Sequence, residues 1–565
     1  MKPRVVAPLA LVCSLMAAVL APAALAKDRG CGSGPVAGGE WPVYGHDAAN
    51  TRSQPQEHRI GAAQVGNLAP LWSFSTGRPS GVVAGLNFSE FSSTPIVAGS
   101  CVFVAASYGR KTGATDNNVY ALDTETGKVV WSRYAATDPA GTAGPIIGAP
   151  LIVKDKVLVL VNQEGNGTAK GPYVVAYDRR DGHTRWTSPP VVTTEGYYTN
   201  ASPTLAPGGV VLVGFSTKEG LPDGHGGVAL INADTGALLH SPIWSIPPAQ
   251  WYRKDKTPLY GGGGVWTAPA VDTRNGYAYY GTSNPYSKEQ VHPRTNAILK
   301  LDVDRTRSTF GEIVASYSGN IEQYVNEVGN SLEDVFAVTC PLYEKSPIQD
   351  VPPLDPRESL AQQVLNNSPT CGEQDLDFGA APNLFPDRAG RLVVGDLQKS
   401  GVYHAVLADT MARDTIKNGK PVPATTKPVW QSEVGHSCPA CNASSTAFDP
   451  ATRRVFVAAA PGSVMKAVSV DDVGPNHIPL WSTPIGDGIH YESVSTANGV
   501  VYTVDNWGFL DAYDASDGTL LLHRPLAFDA SDSGADVVGY SSAGVAIAHH
   551  TVFVAAGSHL FAYRL

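Results

Sequence analysis

The chain has 565 residues, and Gly (58) and Pro (43) together make about 18% of it, against an average of about 12%. A hydrophobic content of 43% excludes a disordered chain, and so much Gly and Pro with only 16% charged residues and 4 Met argues against helix bundles and coiled coils. Fifty-one acids against 41 bases leave a net charge of −10 without basic blocks, which argues against nucleic acid as a partner.

The N-terminus reads as a secretory signal. Lys2 and Arg4 precede an apolar run from Val5 to Leu20, and Ala24-Leu25-Ala26 is an A-x-A cleavage site. Residues 1–26 are therefore expected to be removed, which places the mature chain from Lys27 outside the cytoplasm, secreted or periplasmic. No later segment is apolar and long enough to span a bilayer. Once Cys13 leaves with the signal, six cysteines remain, an even count that suits an oxidising compartment. Fifteen pairings are open. The favoured set is Cys340–Cys371 and Cys438–Cys441, with Cys31–Cys101 following by elimination.

Internal repeats decide the architecture. The segment Tyr120-Ala-Leu-Asp-Thr-Glu-Thr-Gly-Lys-Val-Val-Trp131 recurs as Ala176-Tyr-Asp-Arg-Arg-Asp-Gly-His-Thr-Arg-Trp186. Further copies lie at 229–236 with Trp244, at 299–302, at 403–409 with Trp430, at 467–471 with Trp481, at 512–518 and at 561–565. Each copy follows two short β-rich runs, such as 209–215 or 277–280. The unit is two strands, a third carrying A-[LY]-D, a D-x-x-[TD]-G turn, and a fourth strand often carrying Trp. The eighth copy ends at Leu565 with no fourth strand, and an unpartnered fourth-strand signature stands near the beginning at Leu71-Trp72-Ser-Phe-Ser75. Pairing the two removes an open edge at each end. The predicted fold is all-β: a single eight-bladed β-propeller over 27–565, closed by its own N-terminal strand. Prolines at 95, 150, 203, 269 and 382 are placed in five first strands. The repeat fails only between Gly319 and Gln374, an insertion expected to form an ordered flap, with a short helix over 357–366.

Aligned blades expose unusual residues at equivalent places. Second strands of blades three, four and five are read as ending at Gly214, Gly281 and Gly395, with Glu219, Asn284 and Lys399 shortly beyond. Trp266 and Asp377 stand just before the first strands of blades four and five. Two carboxylates and an amide oxygen suit a hard cation such as Ca²⁺. An indole supplies a flat apolar surface and a lysine a positive donor. Together they describe a planar anionic cofactor beside a metal.

These residues also carry a resemblance. The opening Trp41-Pro-Val-Tyr-Gly-His-Asp-Ala-Ala-Asn-Thr-Arg52, leading to Leu71-Trp72, resembles the start of pyrroloquinoline quinone (PQQ) dehydrogenases. The spacing of Gly214 to Glu219, the eighteen residues from Trp266 to Asn284-Pro285, Asp377-Phe378, and Lys399-Ser400-Gly401 match motifs of that family across the mature chain. The Cys-containing insertion, Asp375-Leu-Asp-Phe-Gly-Ala-Ala381 and Gln398-Lys-Ser-Gly-Val-Tyr403 are similar to its polyvinyl alcohol dehydrogenase branch. The resemblance implies PQQ and Ca²⁺ as cofactors. It implies Glu219, Asn284 and Asp377 as metal ligands, Asp377 as catalytic base, and Lys399 as a catalytic and cofactor-binding cation. Trp266 is the floor of the quinone, and Glu219 and Asn442 are counted among its contacts. It also implies oxidation of an alcohol, with electrons leaving to an external acceptor such as cytochrome c.

Some positions depart from the family pattern. Gly148-Ala-Pro150 stands where many relatives have a vicinal Cys pair, and Ser92 where many have Glu. Gly379 lacks the extra carboxylate of lanthanide-using relatives, which favours Ca²⁺. Cys438-Pro-Ala-Cys441 is followed by Asn442, so this sequence carries no C-x-x-C-H haem motif. The rival reading is a non-catalytic propeller scaffold of the cell envelope, which needs no such polar set.

Overall fold

Each of the eight repeats forms the third strand of a blade built on four antiparallel strands, from Val119–Asp123 in blade one to His559–Arg564 in blade eight, with Tyr197–Tyr198 added to blade three and Ser53–Gln54, in parallel, to blade seven. The computed structural model describes residues 30–32, 36–77, 81–83, 86–106, 117–135, 146, 148–162, 171–217, 223–286, 292–319, 376–435, 442–459, 463–471, 477–486, 490–534, 536–539 and 541–565. The expected signal, the flap with its helix, Cys340–Cys371 and Cys438–Cys441 lie outside these residues. Among the described residues, strands and single 3₁₀ turns are the only regular elements. Ala69–Ser75, which holds Trp72, pairs antiparallel with His559–Arg564 and completes the eighth blade. Cys31 and Cys101 form a disulfide as expected, tying the N-terminal approach to the second strand of blade one.

Two expectations shift. The five prolines stand one residue ahead of their first strands, which begin at Ile96, Leu151, Thr204, Ala270 and Asn383. Proline has no N–H to give the ladder, so it precedes the strand instead of joining it. Only Gly281 ends its strand; Gly214 and Gly395 lie inside Val210–Thr217 and Leu392–Leu397. Their cause is close approach. A Cβ would lie 2.6 Å from the Val265 carbonyl oxygen at Gly214 and 2.0 Å from the Tyr403 hydroxyl at Gly395.

The D-x-x-[TD]-G turn explains itself chemically. Asp123 Oδ1 accepts the N–H groups of Glu125 (3.1 Å) and Thr126 (2.9 Å), and Gly127 then takes a φ of 66° that favours glycine. The bare Cα receives the fourth-strand tryptophan of the preceding blade. A Cβ on Gly127 would lie 2.6 Å from the Trp72 ring, and one on Gly182 2.6 Å from that of Trp131. The Trp72 indole N–H donates to Thr124 O and that of Trp131 to Arg179 O, both at 2.9 Å. Trp186 on Gly236 and Trp481 on Gly518 repeat the contact.

The axis is closed by residues 39–54. Blade by blade, this strap meets the inner strand edges: His549 N–H donates to Gly39 O, Trp41 exchanges both backbone bonds with Val97, and Ile152 N–H donates to Pro42 O. Val271, Leu384, Phe448 and Thr496 then donate to Ala48, Ala49, Thr51 and Arg52. Gln54 Nε2 returns to blade eight by donating to Ile547 O (3.0 Å). Fully buried Arg52 donates to Val494 O (2.6 Å), Tyr44 O (2.7 Å), Ser495 Oγ (3.1 Å) and Thr94 Oγ1 (3.2 Å), bridging blades seven and one.

The docking contact is directly testable. Gly182→Ala is expected to cost about 2–4 kcal/mol, combining left-handed strain with overlap against Trp131. Gly390→Ala, also at positive φ but facing open space, is expected to cost about 1 kcal/mol. Denaturant unfolding of the two variants measures the difference, and equal losses would refute the role given to the indole.

Candidate functional site

Four residues ahead of the first strand, seven blades place an equivalent residue on one cavity wall: Ser92, Asn200, Trp266, Gly379, Ala443, Tyr491 and Ser542. They line a funnel of about 440 Å³ at the axis, floored in part by Tyr44 of the strap. That volume lies within the roughly 300–1,000 Å³ typical of small-molecule sites.

Asp377, Trp266, Lys399 and Asn284 converge on this cavity. Asp377 Oδ1 accepts the Asn284 backbone N–H at 2.5 Å, and its Oδ2 accepts the Trp266 indole N–H at 3.1 Å and Lys399 Nζ at 3.3 Å. Lys399 Nζ also stands 5.2 Å from the Trp266 ring centroid, a cation–π distance. Both Asp377 and Lys399 are buried, so their opposite charges answer one another in a site of reduced dielectric. Backbone bonds fix the arrangement: Lys399 N–H donates to Asp377 O (2.9 Å), and Phe378 bridges Gln398.

The remaining residues singled out in the sequence stand as follows. Glu219 lies outside the described residues, although Ser216 on the strand leading to it reaches the cavity. Asn442 is buried behind Lys399, donating from Nδ2 to the Lys399 carbonyl at 3.1 Å, and is not among the cavity-lining residues. Gly148 is packed so that a Cβ would lie 2.2 Å from Ala201 O. Ser92 lines the cavity and accepts at its carbonyl from Ser542 Oγ (2.9 Å).

The sequence holds one further signal at this wall. Gly261–Gly264 is a run of four glycines against which the Asn284 loop packs. Tyr286 N–H donates to Gly261 O (3.1 Å) and Gly264 N–H to Ser283 Oγ (2.8 Å), while a Cβ on Gly262 would lie 2.2 Å from Asn284 O. Behind the site, Asp396 is fully buried, which holds its carboxyl well above the usual carboxylate range, opposed in part by the Leu397 N–H. No motif marks this residue, because burial by a neighbouring blade is not written in local sequence.

A planar cofactor fits the residues present. Trp266 offers an indole at the wall, Lys399 a cation, and Asn200 Oδ1 and Thr267 Oγ1 are buried without hydrogen-bond partners. For a hard cation, Asp377 and Asn284 supply oxygen atoms from adjacent loops.

Fold and site together define an eight-bladed β-propeller with a polar axial funnel, and known proteins share that fold. Residues 59–247 match a PQQ-repeat family profile described as outer membrane protein assembly factor BamB. Polyvinylalcohol dehydrogenase of Pseudomonas sp is 23% identical over 385 residues, 66% of this chain and 49% of that protein. Quinohemoprotein alcohol dehydrogenase ADH IIB of Pseudomonas putida is 25% identical over 284 residues, 46% of this chain and 36% of that protein. The chain thus spans half or less of the length of these curated relatives. The crystal structure of quinohemoprotein alcohol dehydrogenase from Comamonas testosteroni superposes with a TM-score of 0.60 at 18% identity, covering 93% of this chain and 80% of that one. The curated relatives named here are a polyvinylalcohol dehydrogenase and a quinohemoprotein alcohol dehydrogenase, and the chain is similar to both.

Two predictions follow from packing and burial at the site. A Cβ on Gly379 would lie 2.9 Å from Trp266 Cη2 and 3.2 Å from Ala443 Cβ. Gly379→Ala is expected to cost about 1–3 kcal/mol, and the same change on a Trp266→Ala background to cost much less; a double-mutant cycle by thermal unfolding measures the coupling. Asp396 binds its proton more tightly folded than unfolded, so its contribution to stability is complete below the unfolded pKa and is lost as pH rises above it. Asp396→Asn is expected to flatten the fall in stability as pH rises above about 4, read by denaturant titration.

Proposed function

We propose that the protein is an extracytoplasmic quinoprotein dehydrogenase that oxidises an alcohol with PQQ and Ca²⁺. The observation carrying this reading is Asp377, a buried carboxylate reached by the Asn284 backbone, the Trp266 indole and the Lys399 ammonium on one cavity wall. When bound, PQQ would supply the two-electron oxidant and Ca²⁺ a Lewis acid. Asp377 accepts the proton of the alcohol hydroxyl as the C–H bond breaks and the carbonyl forms. The Lys399 ammonium keeps positive charge against the cofactor as negative charge develops there. Trp266 provides the platform and helps exclude water. Asn284, with Asp377 and Glu219, would hold the cation.

Secondary alcohols, including polyvinyl alcohol, are the proposed substrate class, supported by the motifs around Asp377 and Lys399 and by the likeness to polyvinylalcohol dehydrogenase. This sequence holds no C-x-x-C-H motif, so an acceptor outside these residues, such as a cytochrome c, takes the electrons. The signal-like N-terminus supports export. The family profile's description favours a second reading, a cell-envelope scaffold. A scaffold has no need of a buried carboxylate–ammonium pair facing a cavity.

Purified protein supplied with PQQ and Ca²⁺ is expected to reduce a redox dye with a secondary alcohol, and Asp377→Asn to lower kcat by about 10²–10⁴-fold. Absence of both turnover and quinone retention would establish the scaffold instead. Full activity in Asp377→Asn would remove that residue from the role of base.

A further inference from the structure

Phe528 is 88% exposed, more than any other large apolar side chain among the described residues, and it stands on a rigid support. It belongs to a 3₁₀ turn, Leu526–Asp529, between the last strand of blade seven and the first of blade eight. Leu526 is fully buried, and its N–H donates to Gly508 O at 2.9 Å. At the other end of the turn Asp529 accepts from Arg524 Nε (2.6 Å), Arg524 Nη2 (3.0 Å) and the Tyr563 hydroxyl (2.9 Å). An aromatic ring held out on a fixed turn loses little freedom when a partner covers it, which is what an interface anchor requires. The same connection supplies Ser541 and Ser542 to the cavity wall, so Phe528 lies on the face where the funnel opens. Ala527 and Ala530 flank it, half-buried against the core. Asp532, 43% exposed, and Asp536 follow on the same connection and add negative charge. The Gly534 N–H and His559 hold the Asp532 carboxyl below the usual carboxylate range, so it stays ionised. The charge of Arg524 is answered by Asp529, which leaves the patch anionic in a chain of net charge −10. Charge complementarity calls for a cationic partner, and the exposed ring calls for an apolar recess within it.

We propose that the Phe528 patch docks the electron acceptor, a soluble c-type cytochrome with an apolar haem edge set in a ring of lysines. The proposal rests on the dehydrogenase reading and adds the surface on which the acceptor binds. Oxidising one alcohol to a carbonyl releases two electrons and two protons. Two cytochromes in succession each take one electron, ferric haem becoming ferrous, and the protons pass to solvent. Electron-transfer complexes bury little surface, less than about 1,200 Å², so one aromatic anchor with an acidic rim suffices.

The test uses the whole protein loaded with PQQ and Ca²⁺, a basic cytochrome c as probe, and the variants Phe528→Ser and Asp532→Asn. Ile478→Ser is the control for exposed apolar surface, being 75% exposed between the third and fourth strands of blade six, at the opposite end of the blades. With a dye as acceptor, all three variants are expected to turn over like the wild type. With cytochrome below saturation, Phe528→Ser is expected to lower the rate about tenfold and Asp532→Asn about threefold, with no loss in Ile478→Ser. The Asp532→Asn loss is expected to vanish above about 0.5 M salt, where screening is short-ranged. An unchanged cytochrome rate in Phe528→Ser, or an equal loss in Ile478→Ser, overturns the proposal. Absence of dye-coupled turnover in every form counts against the dehydrogenase reading instead, and docking is then read by calorimetry with the same cytochrome. Phe528→Ser is expected to weaken that binding about tenfold; equal affinities, or no binding by the wild type, overturn the proposal.

Discussion

Eight inner strands facing one axis present eight open edges, and a ring offers no way for those edges to pair with one another. The strap at 39–54 resolves this by passing once around the axis and hydrogen-bonding to seven of the eight inner edges, blade three being the one without such a backbone bond among the described residues. In blades one, two, four, five, six and seven the bond falls on the second residue of the first strand, from Val97 to Thr496. Unpaired backbone groups buried there would each cost about 1–3 kcal/mol, so the strap sets the register at which all blades meet. The same segment reaches the cavity. The Tyr44 hydroxyl lies 2.9 Å from Ser445 Oγ and 2.6 Å from Ser493 Oγ, and Asn50 Nδ2 donates to Ala268 O, two residues from Trp266.

From that frame the chemistry of the site follows. Residues just ahead of the first strands are carried to the mouth of the axis by every blade, so a function needing groups from three blades can be assembled without long loops. Trp266 arrives from blade four, Asp377 from the approach to blade five, and Lys399 from the turn after its second strand. Close approach between these segments is paid for with side chains: Gly379 beneath the indole, and Gly261–Gly264 beneath the Asn284 loop, leave space that any Cβ would fill. A carboxylate bound by two N–H donors and an ammonium is held in one orientation, which a proton acceptor beside a bound ring requires.

Much of this was legible in the chain. The phase of the repeats, ending on a third strand and opening on a fourth, specified both blade number and the pairing of 69–75 with 559–564, because an unpaired edge is costly. Spacing likewise picked out Trp266, Asn284, Asp377 and Lys399, since equivalent positions on adjacent blades must share a face. Local pattern failed where the cause was distant. Gly214 and Gly395 look like strand ends but are thinned for contacts with Val265 and Tyr403.

The sequence by itself determined the ring: alternating strands, Asp-capped glycine turns and their tryptophans are local patterns whose geometry repeats every blade. The tertiary structure alone decided which polar atoms lie at the axis without partners, that Asp396 is buried behind the site, and that Tyr286 and Thr267 share a cavity with Asp377. Those facts depend on distances between segments far apart in the chain, and such distances exist only once the strap has drawn the eight blades together.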